Sequence, residues 1–530
     1  MTRKNWVLLG VAASLAVTSA TALSQGINRE KIDSERIEAI ASEAASTPFK
    51  RPSESRPIPK SLQDLTYSNY RRIQFRRDQA PWKEDNLNFH LHFFHPGYLY
   101  RDTVLLHEFT NSHVQQIRFL NHLFDYADSG IDGDQLPDKL GYAGFRLLYP
   151  LNQTENYDEV AVFQGASYFR MLGAGQQYGL SARGLALNSG RGDAKEEFPL
   201  FTRFWIGKPV GKSKKVHLYA LLESESVTGA YEFVIAPGKE TVADIRATLY
   251  FREIPKSIGV APLTSMFWFG ENTHRKPDDF RPEVHDSDGL MIRSGSGECI
   301  WRPASMDPSR IHFNVFSMKE VQGFGLLQRD RELSSYHDPE ANYHHRPSVW
   351  IEPKKGFGEG NVVLVELPTS DETADNLVAY WEPAAKPTLN EPFRLEYRLK
   401  WSDAQNPATA GAITKSTRTG LLPWRPGERL MVVDFEGTSL NALSPENPPE
   451  AIVQAIDPKV AEVADVTVHY VKALQQWRLT FFVRPPNFTA PEGGNHTMVP
   501  PKLERSAEFR AFLKQGKDIL TETWTYRIDP

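Results

Sequence analysis

Two carboxylates, Asp286 and Asp288, stand two positions apart in a dense polar run, Arg281-Pro-Glu-Val-His-Asp-Ser-Asp-Gly289. Aromatic residues bracket that run: Phe267, Trp268 and Phe269 before it, Trp301 after it. Ionisable side chains packed so closely among aromatics are costly to bury unless they are paired or put to use. In an extended strand a spacing of two puts both carboxylates on one face, with Glu283 and His285 flanking them. Two readings stand. One is an Asx-type turn that closes at Gly289; the other is a carboxylate pair for acid–base work.

Two further stretches concentrate polar chemistry. The first, residues 329–350, contains Asp330, Tyr336, His337, Asp338, Tyr343, His344, His345, Arg346 and Trp350. Adjacent histidines do not both point into one site on a strand, and no third ligand has recognisable spacing, so a metal is not expected. Arg346, held before Pro347, is the better candidate for a fixed donor; a solvated loop is the plain alternative. The second, residues 366–381, places Asp371, Glu372 and Asp375 between two strand-like runs. Like charges that close raise one another's pKa, as a general acid requires, although an exposed acidic turn has the same composition. His90, His92 and His95 read as strand and rim residues, because no cysteine or clear acidic partner accompanies them. Gly173-Ala-Gly-Gln-Gln-Tyr-Gly179 lacks the Gly-Lys-Ser/Thr end of a phosphate loop. Ile131-Asp-Gly-Asp134 lacks the rest of a calcium loop. Neither a cofactor nor a metal is expected.

The elements that must position these residues are short and β-like. Leu87-Asn-Phe-His-Leu-His-Phe93 alternates, as do Val216-His-Leu-Tyr-Ala-Leu-Leu222, Tyr231-Glu-Phe-Val-Ile235 and Thr248-Leu-Tyr-Phe251. Long helical periods are scarce, no 20–50-residue repeat is present, and Gly, Pro and Asn punctuate the runs, which argues for stacked antiparallel sheets. Three prolines fall within residues 383–392, and past them Phe393-Arg-Leu-Glu-Tyr-Arg-Leu-Lys-Trp401 alternates cleanly. Four more strand-like runs follow, enough for an immunoglobulin-sized sandwich. The chain therefore divides into a signal peptide over 1–22, a tether over 23–60, a large β domain over 61–384, a linker over 385–392 and a β sandwich over 393–530. The signal peptide rests on Arg3 and Lys4, an apolar run from Trp6 to Val17 and the cleavage triplet Ala20-Thr21-Ala22. Within the tether, Ile32, Ile37, Ile40, Ala41 and Ala44 fall at the spacing of a short amphipathic helix.

At 530 residues the chain is too long for one ordinary core. A net charge of −5 with mixed signs carries no nucleic-acid footprint. The single cysteine, Cys299, excludes an intramolecular disulfide. No mature segment has the length of a membrane span, so an exported protein outside the cytoplasm is expected.

Several runs together resemble the periplasmic glucan biosynthesis family, OpgG and OpgD (also called MdoG and MdoD). They are Gly165-Ala-Ser-Tyr-Phe-Arg170, Gly179-Leu-Ser-Ala-Arg-Gly-Leu-Ala186, Gly259-Val-Ala-Pro-Leu-Thr-Ser-Met-Phe267, Arg281-Pro-Glu-Val-His-Asp-Ser-Asp-Gly-Leu290, Gly323-Phe-Gly-Leu-Leu-Gln-Arg-Asp330 and Asp371-Glu-Thr-Ala-Asp-Asn376. The likeness spans roughly Tyr67 to the C-terminus. It implies a periplasmic, all-β protein: a large supersandwich of the galactose-mutarotase kind followed by an immunoglobulin-like sandwich. It implies action on the β-1,2-linked backbone of osmoregulated periplasmic glucans, as a glycoside hydrolase or transglycosylase. By position, Asp375 would be the general acid with Glu372 beside it, and the opposing carboxylate would be Asp286 or Asp288. Tyr343, Arg346 and His285 would contact substrate. Trp268, Trp301, Trp350 and Trp381 are candidates to stack on sugar faces, and each serves equally well as core. Two other readings compete: a non-catalytic glucan-binding scaffold beside the inner-membrane glucan glucosyltransferase, and, by fold analogy alone, an aldose epimerase.

Overall fold

A computed structural model describes residues 31–274, 277–408, 411–489 and 498–530. The expected signal peptide over 1–22 lies outside them. Among the described residues no helix is long and apolar enough to cross a membrane. Nearly all regular structure is antiparallel strand, as the alternating runs require.

Two large sheets face each other. In the ten-stranded sheet the order runs from His90–Phe94 through Tyr168–Met171 and Ser181–Arg183 to Ile258–Ser265, then Leu377–Pro383, Gly360–Glu366 and His312–Met318. The fifteen-stranded sheet has Phe393–Ser402, Thr241–Phe251, Val227–Ala236, Val216–Glu223 and Leu200–Gly207 as consecutive neighbours. Large side chains from both inner faces fill the space between them. Phe163 and Phe169, on one sheet, meet Phe233, on the other, edge-on at 5.5 Å each, and Phe169 reaches Trp401 at 6.1 Å. Edge-to-face contacts let the negative ring face meet the positive edge.

Two expected boundaries change. The strand Phe393–Ser402 pairs with Thr241–Phe251 on one side and Ser348–Lys355 on the other. It is therefore a central strand of the large sheet, and the proline-rich 385–392 segment is a turn into that sheet, not a linker between domains. The smaller sandwich begins after Ser402. Its four-stranded sheet, Ile413–Leu421, Arg429–Glu436, Gln476–Arg484 and Glu462–Val471, covers a layer continuous with the large sheet. That continuity is made where Thr523–Ile528 pairs in parallel with Cys299–Pro303.

The tether is likewise a docked element from its described start. Asp33 caps the helix Ser34–Ala45, accepting from the Arg36 backbone N–H at 3.0 Å. Ile37, Ala41 and Ala45 bury one face against Trp205, Tyr219, Leu221, Ala230 and Tyr250. Arg252 fastens the C-terminal end, donating to the carbonyls of Ala44 at 2.6 Å and Ala45 at 3.2 Å. The predicted helical spacing is present; what the spacing did not carry is that this face lies on the outer surface of the sheet.

Candidate functional site

One short segment holds two distant acidic loops together. The Asp286 backbone N–H donates to the Met266 carbonyl at 2.8 Å. The Asn376 side chain accepts from the Phe267 N–H at 2.8 Å and returns a bond to the Phe267 carbonyl at 2.9 Å. Asn376 also donates to the Leu367 carbonyl at 3.1 Å, closing the 367–376 loop at its base. Residues 266 and 267 thus brace the turn that carries Asp286 and the loop that carries Asp375. The brace brings the two acids within reach of each other's charge although 89 positions separate them in sequence.

Five charged groups set the electrostatics there. Asp286, 5% exposed, accepts a short hydrogen bond from Arg346 Nη1. Burial raises its pKa, Arg346 opposes the rise, and the charge of Asp375 adds to it. Burial also raises the pKa of Asp375, against the pull of Arg170, Arg183 and Arg346. The Asp375 side chain is 34% exposed, and its nearest cation, Arg170 Nη2, stands 3.9 Å away. Both carboxyls are thus shifted upward by burial; Asp286 is ion-paired to Arg346, and Asp375 has a path to solvent.

Arg346 is itself tightly placed. Its guanidinium lies 4.2 Å from the Tyr343 ring centroid. A Cβ at Gly179 would come within 2.9 Å of the Arg346 Cβ, so that position admits only glycine without displacing the arginine. Tyr343 donates to Glu372 Oε2 at 2.9 Å, and Arg281 Nη1 meets the same oxygen at 2.5 Å. Arg281 also binds Asp279 at 2.8 Å and Asp338 at 3.0 Å. Glu372 is therefore braced from two sides, by Tyr343 and Arg281.

Several expectations change. Asp371, Glu372 and Asp375 do not form a mutually repelling triad. Asp371 turns onto its own loop, accepting from Thr373 N and Oγ1 at 2.8 and 2.5 Å, and Glu372 is neutralised by Arg281. Burial is the main cause that lifts Asp375. Asp288 is not on the face of Asp286. The chain bends over 286–288 between the strands Val284–His285 and Gly289–Ser294, which breaks the alternation. Asp288 accepts from the backbone N–H groups of Arg329 and, at 3.0 Å, Asp330.

His285 is fully buried, which removes it from substrate contact. Its Nδ1 meets Gln328 Oε1 at 2.9 Å and its Nε2 meets Glu283 Oε2 at 3.0 Å. Trp381 is 0% exposed, with its indole N–H donating to the Phe357 carbonyl at 3.1 Å. Trp350 is buried in the core around the smaller sandwich, and Trp301 is buried with the Arg329 guanidinium 3.5 Å above its ring. These three tryptophans cannot offer a face to a sugar. Trp268 is half-buried, 6.0 Å from the Arg281 guanidinium. Arg170, Arg183, Arg281 and Asn376 were given no role from sequence. All four sit in runs that carry the family resemblance, but an arginine in a strand shows its partner only after folding.

Nearby, Glu271, Glu283, His285, Asp288 and Asp330 form a partly buried cluster, with Lys415 bound to Asp330 at 3.2 Å. Three-residue subsets have metal-like proximity. Burial alone would lower the His285 pKa, but Asp288, Glu283 and Asp330 push it up to about 10. Both ring nitrogens face acceptor oxygens, of Gln328 and Glu283, so the doubly protonated ring suits this environment and serves as the cluster's internal cation. Burial, reinforced by Asp288 and Glu283, pushes Asp330 up to about 7. The folded-state pKa of His285 lies above the ordinary value of 6.5. Its contribution to stability is therefore complete below that value and lost as pH rises through about 10. Urea midpoints are expected to fall from pH 6.5 towards pH 10, and His285→Gln to flatten that slope. A flat wild-type profile in this window would remove the imidazolium.

Comparison with known proteins places the chain among relatives. A family model described as "Periplasmic glucan biosynthesis protein, MdoG" matches residues 32–528. A protein named glucans biosynthesis protein G from Ralstonia nicotianae is 42% identical over 525 residues, 97% of this chain and 98% of that one. One of the same name from Pseudomonas paraeruginosa is 39% identical over 506 residues, 93% of this chain and 92% of that one. A solved polysaccharide lyase aligns at 9% identity over 66% of this chain and 40% of its own, with a TM-score of 0.16, too low to carry an argument.

Proposed function

Because the chain belongs to the periplasmic glucan biosynthesis (MdoG) family, we propose that it works in the periplasm on the β-1,2-linked glucan backbone. In this reading it is an endo-glucanase or transglycosylase that trims or remodels the chain by carboxylate acid–base catalysis. The observation that carries this reading is that residues 266 and 267 bind both the Asp286 turn and the loop of Asp375, bringing the two acids together in what we read as a glucan-binding cleft.

Glycosidic cleavage needs a protonated acid at the leaving oxygen and a second carboxylate across the ring. Asp375 suits the first role, since partial burial raises its pKa while its side chain still meets solvent. Asp286, fixed by Arg346, suits the second: it orients the attacking hydroxyl or water and takes its proton as the bond to the anomeric carbon forms. The proton given by Asp375 leaves on the departing sugar hydroxyl. A water as acceptor gives hydrolysis; a sugar hydroxyl gives transfer.

Incubation with linear β-1,2-glucan is expected to give shorter or cyclised products, read by reducing ends and chromatography. The competing reading, a glucan-binding scaffold for the inner-membrane glucosyltransferase, predicts binding with no cleavage. An unchanged glucan after prolonged incubation with bound protein would decide for the scaffold.

A further inference from the structure

The turn at residues 97–100 is built in a costly way. Tyr98 has φ +55°, a left-handed conformation rarely adopted by a bulky side chain. Backbone bonds hold it there. Gly97 and Tyr100 exchange bonds of 3.0 and 2.9 Å, and the Tyr98 N–H donates to the Leu62 carbonyl at 2.9 Å. A side chain at Gly97, with φ +150°, would meet Leu65 Cδ1 at 3.2 Å and the Leu62 carbonyl at 3.3 Å. Strain over-determined by its surroundings collects at ligand sites.

Tyr98 and Tyr100 on the turn are partly buried, and a neighbouring ring reaches solvent. Tyr67 is 60% exposed and lies 6.0 Å from Tyr98, centroid to centroid. Tyr70 braces the group from beneath, 6.2 Å from Tyr98 and 5.6 Å from Tyr100, and its hydroxyl donates to the His95 carbonyl at 2.9 Å. Arg170 stands between this group and Asp375. Its charge acts on the Tyr100 hydroxyl, and its Nη2 lies 3.9 Å from Asp375.

We propose that Tyr67, Tyr98 and Tyr100 form a stacking track that carries further glucose rings of the β-1,2-glucan chain away from Asp375. The inference rests on reading the cleft as a glucan site. Sugar rings present apolar C–H faces and equatorial hydroxyls, and tyrosine answers both, with a flat ring and a polar tip. Arg71, 6.0 Å over the Tyr67 ring, supplies a donor at the outer end of the track. Two half-exposed tyrosines on a rigid turn lose little side-chain freedom when a ligand settles on them.

The test is the dissociation constant for linear β-1,2-glucan oligosaccharides of increasing length, measured by calorimetry. Wild type is expected to bind long chains more tightly than short ones. Tyr67→Ala and Tyr98→Asn, the second chosen because asparagine tolerates the left-handed backbone, are each expected to weaken long-chain binding about three- to tenfold. The two together should flatten the length dependence. Thermal midpoints near wild type check that both variants fold. An unchanged length dependence in folded variants overturns the track and leaves the cleft reading intact. Failure of wild type to bind any length overturns the cleft reading, and the track with it.

Discussion

Asp375→Asn is expected to slow cleavage of linear β-1,2-glucan by ~10²- to 10⁴-fold, the range set by loss of a positioned general acid. The amide has the shape of the protonated acid and can hydrogen-bond the same oxygen, but it cannot transfer a proton. Stability should change little. Burial already disfavours the charged carboxylate, and the nearest cation is 3.9 Å away, so the neutral amide gives up little electrostatic stabilisation. Reducing-end rates at saturating glucan, with urea midpoints beside them, separate the two effects. The pH dependence has a sign as well. The acid must hold its proton, so kcat should decline as pH rises through the raised Asp375 pKa. Full activity in Asp375→Asn would remove the acid assignment. Unchanged binding with no activity in wild type would favour the scaffold.

Glu522→Ala is expected to cost about 3–5 kcal/mol, the range for removing one partner of a buried ion pair. Arg329 and Glu522 are 2% and 0% exposed and meet through two parallel bonds of 2.6 and 2.8 Å. They join the large sheet to the smaller sandwich. Glu522 also accepts from the Thr414 N–H at 2.7 Å, and Arg329 donates to the Thr414 carbonyl at 3.0 Å. Deleting the carboxylate leaves a guanidinium without its charge partner in a site walled by Trp301, 3.5 Å away. Because Arg329 is adjacent to Asp330 and its N–H holds Asp288, the loss should also loosen the partly buried cluster to which both acids belong. Urea unfolding should show a lower midpoint for the smaller sandwich; a loss under ~1 kcal/mol would place this pair in the class of surface bridges.

The all-β architecture was legible because alternation is local. Phe393-Arg-Leu-Glu-Tyr-Arg-Leu-Lys-Trp401 reads as a strand from its own residues. Its partners, Thr241–Phe251 and Ser348–Lys355, are far away in sequence, and the prolines before it look the same in a linker as in a turn. The helix Ser34–Ala45 was visible from its spacing, while the sheet that receives it was not. At the site, residue type identified the acidic segments. Which face each acid takes depends on the bend over 286–288, which sends Asp286 to Arg346 and Asp288 to the N–H groups of Arg329 and Asp330. The tryptophans were ambiguous for a related reason. A flat apolar ring serves core and sugar alike, and Trp381 lies on a central strand covered on both faces.

The central claim is that Asp375 and Asp286 flank a single scissile bond. A crystal structure of Asp375→Asn with bound linear β-1,2-glucan measures it directly. The account predicts a glycosidic oxygen within ~2.6–3.2 Å of the side chain at position 375, with Asp286 and Arg346 facing the other side of the same sugar ring. A glucan chain seated elsewhere, or crossing the cleft with both carboxylates on one side of the ring, would contradict it.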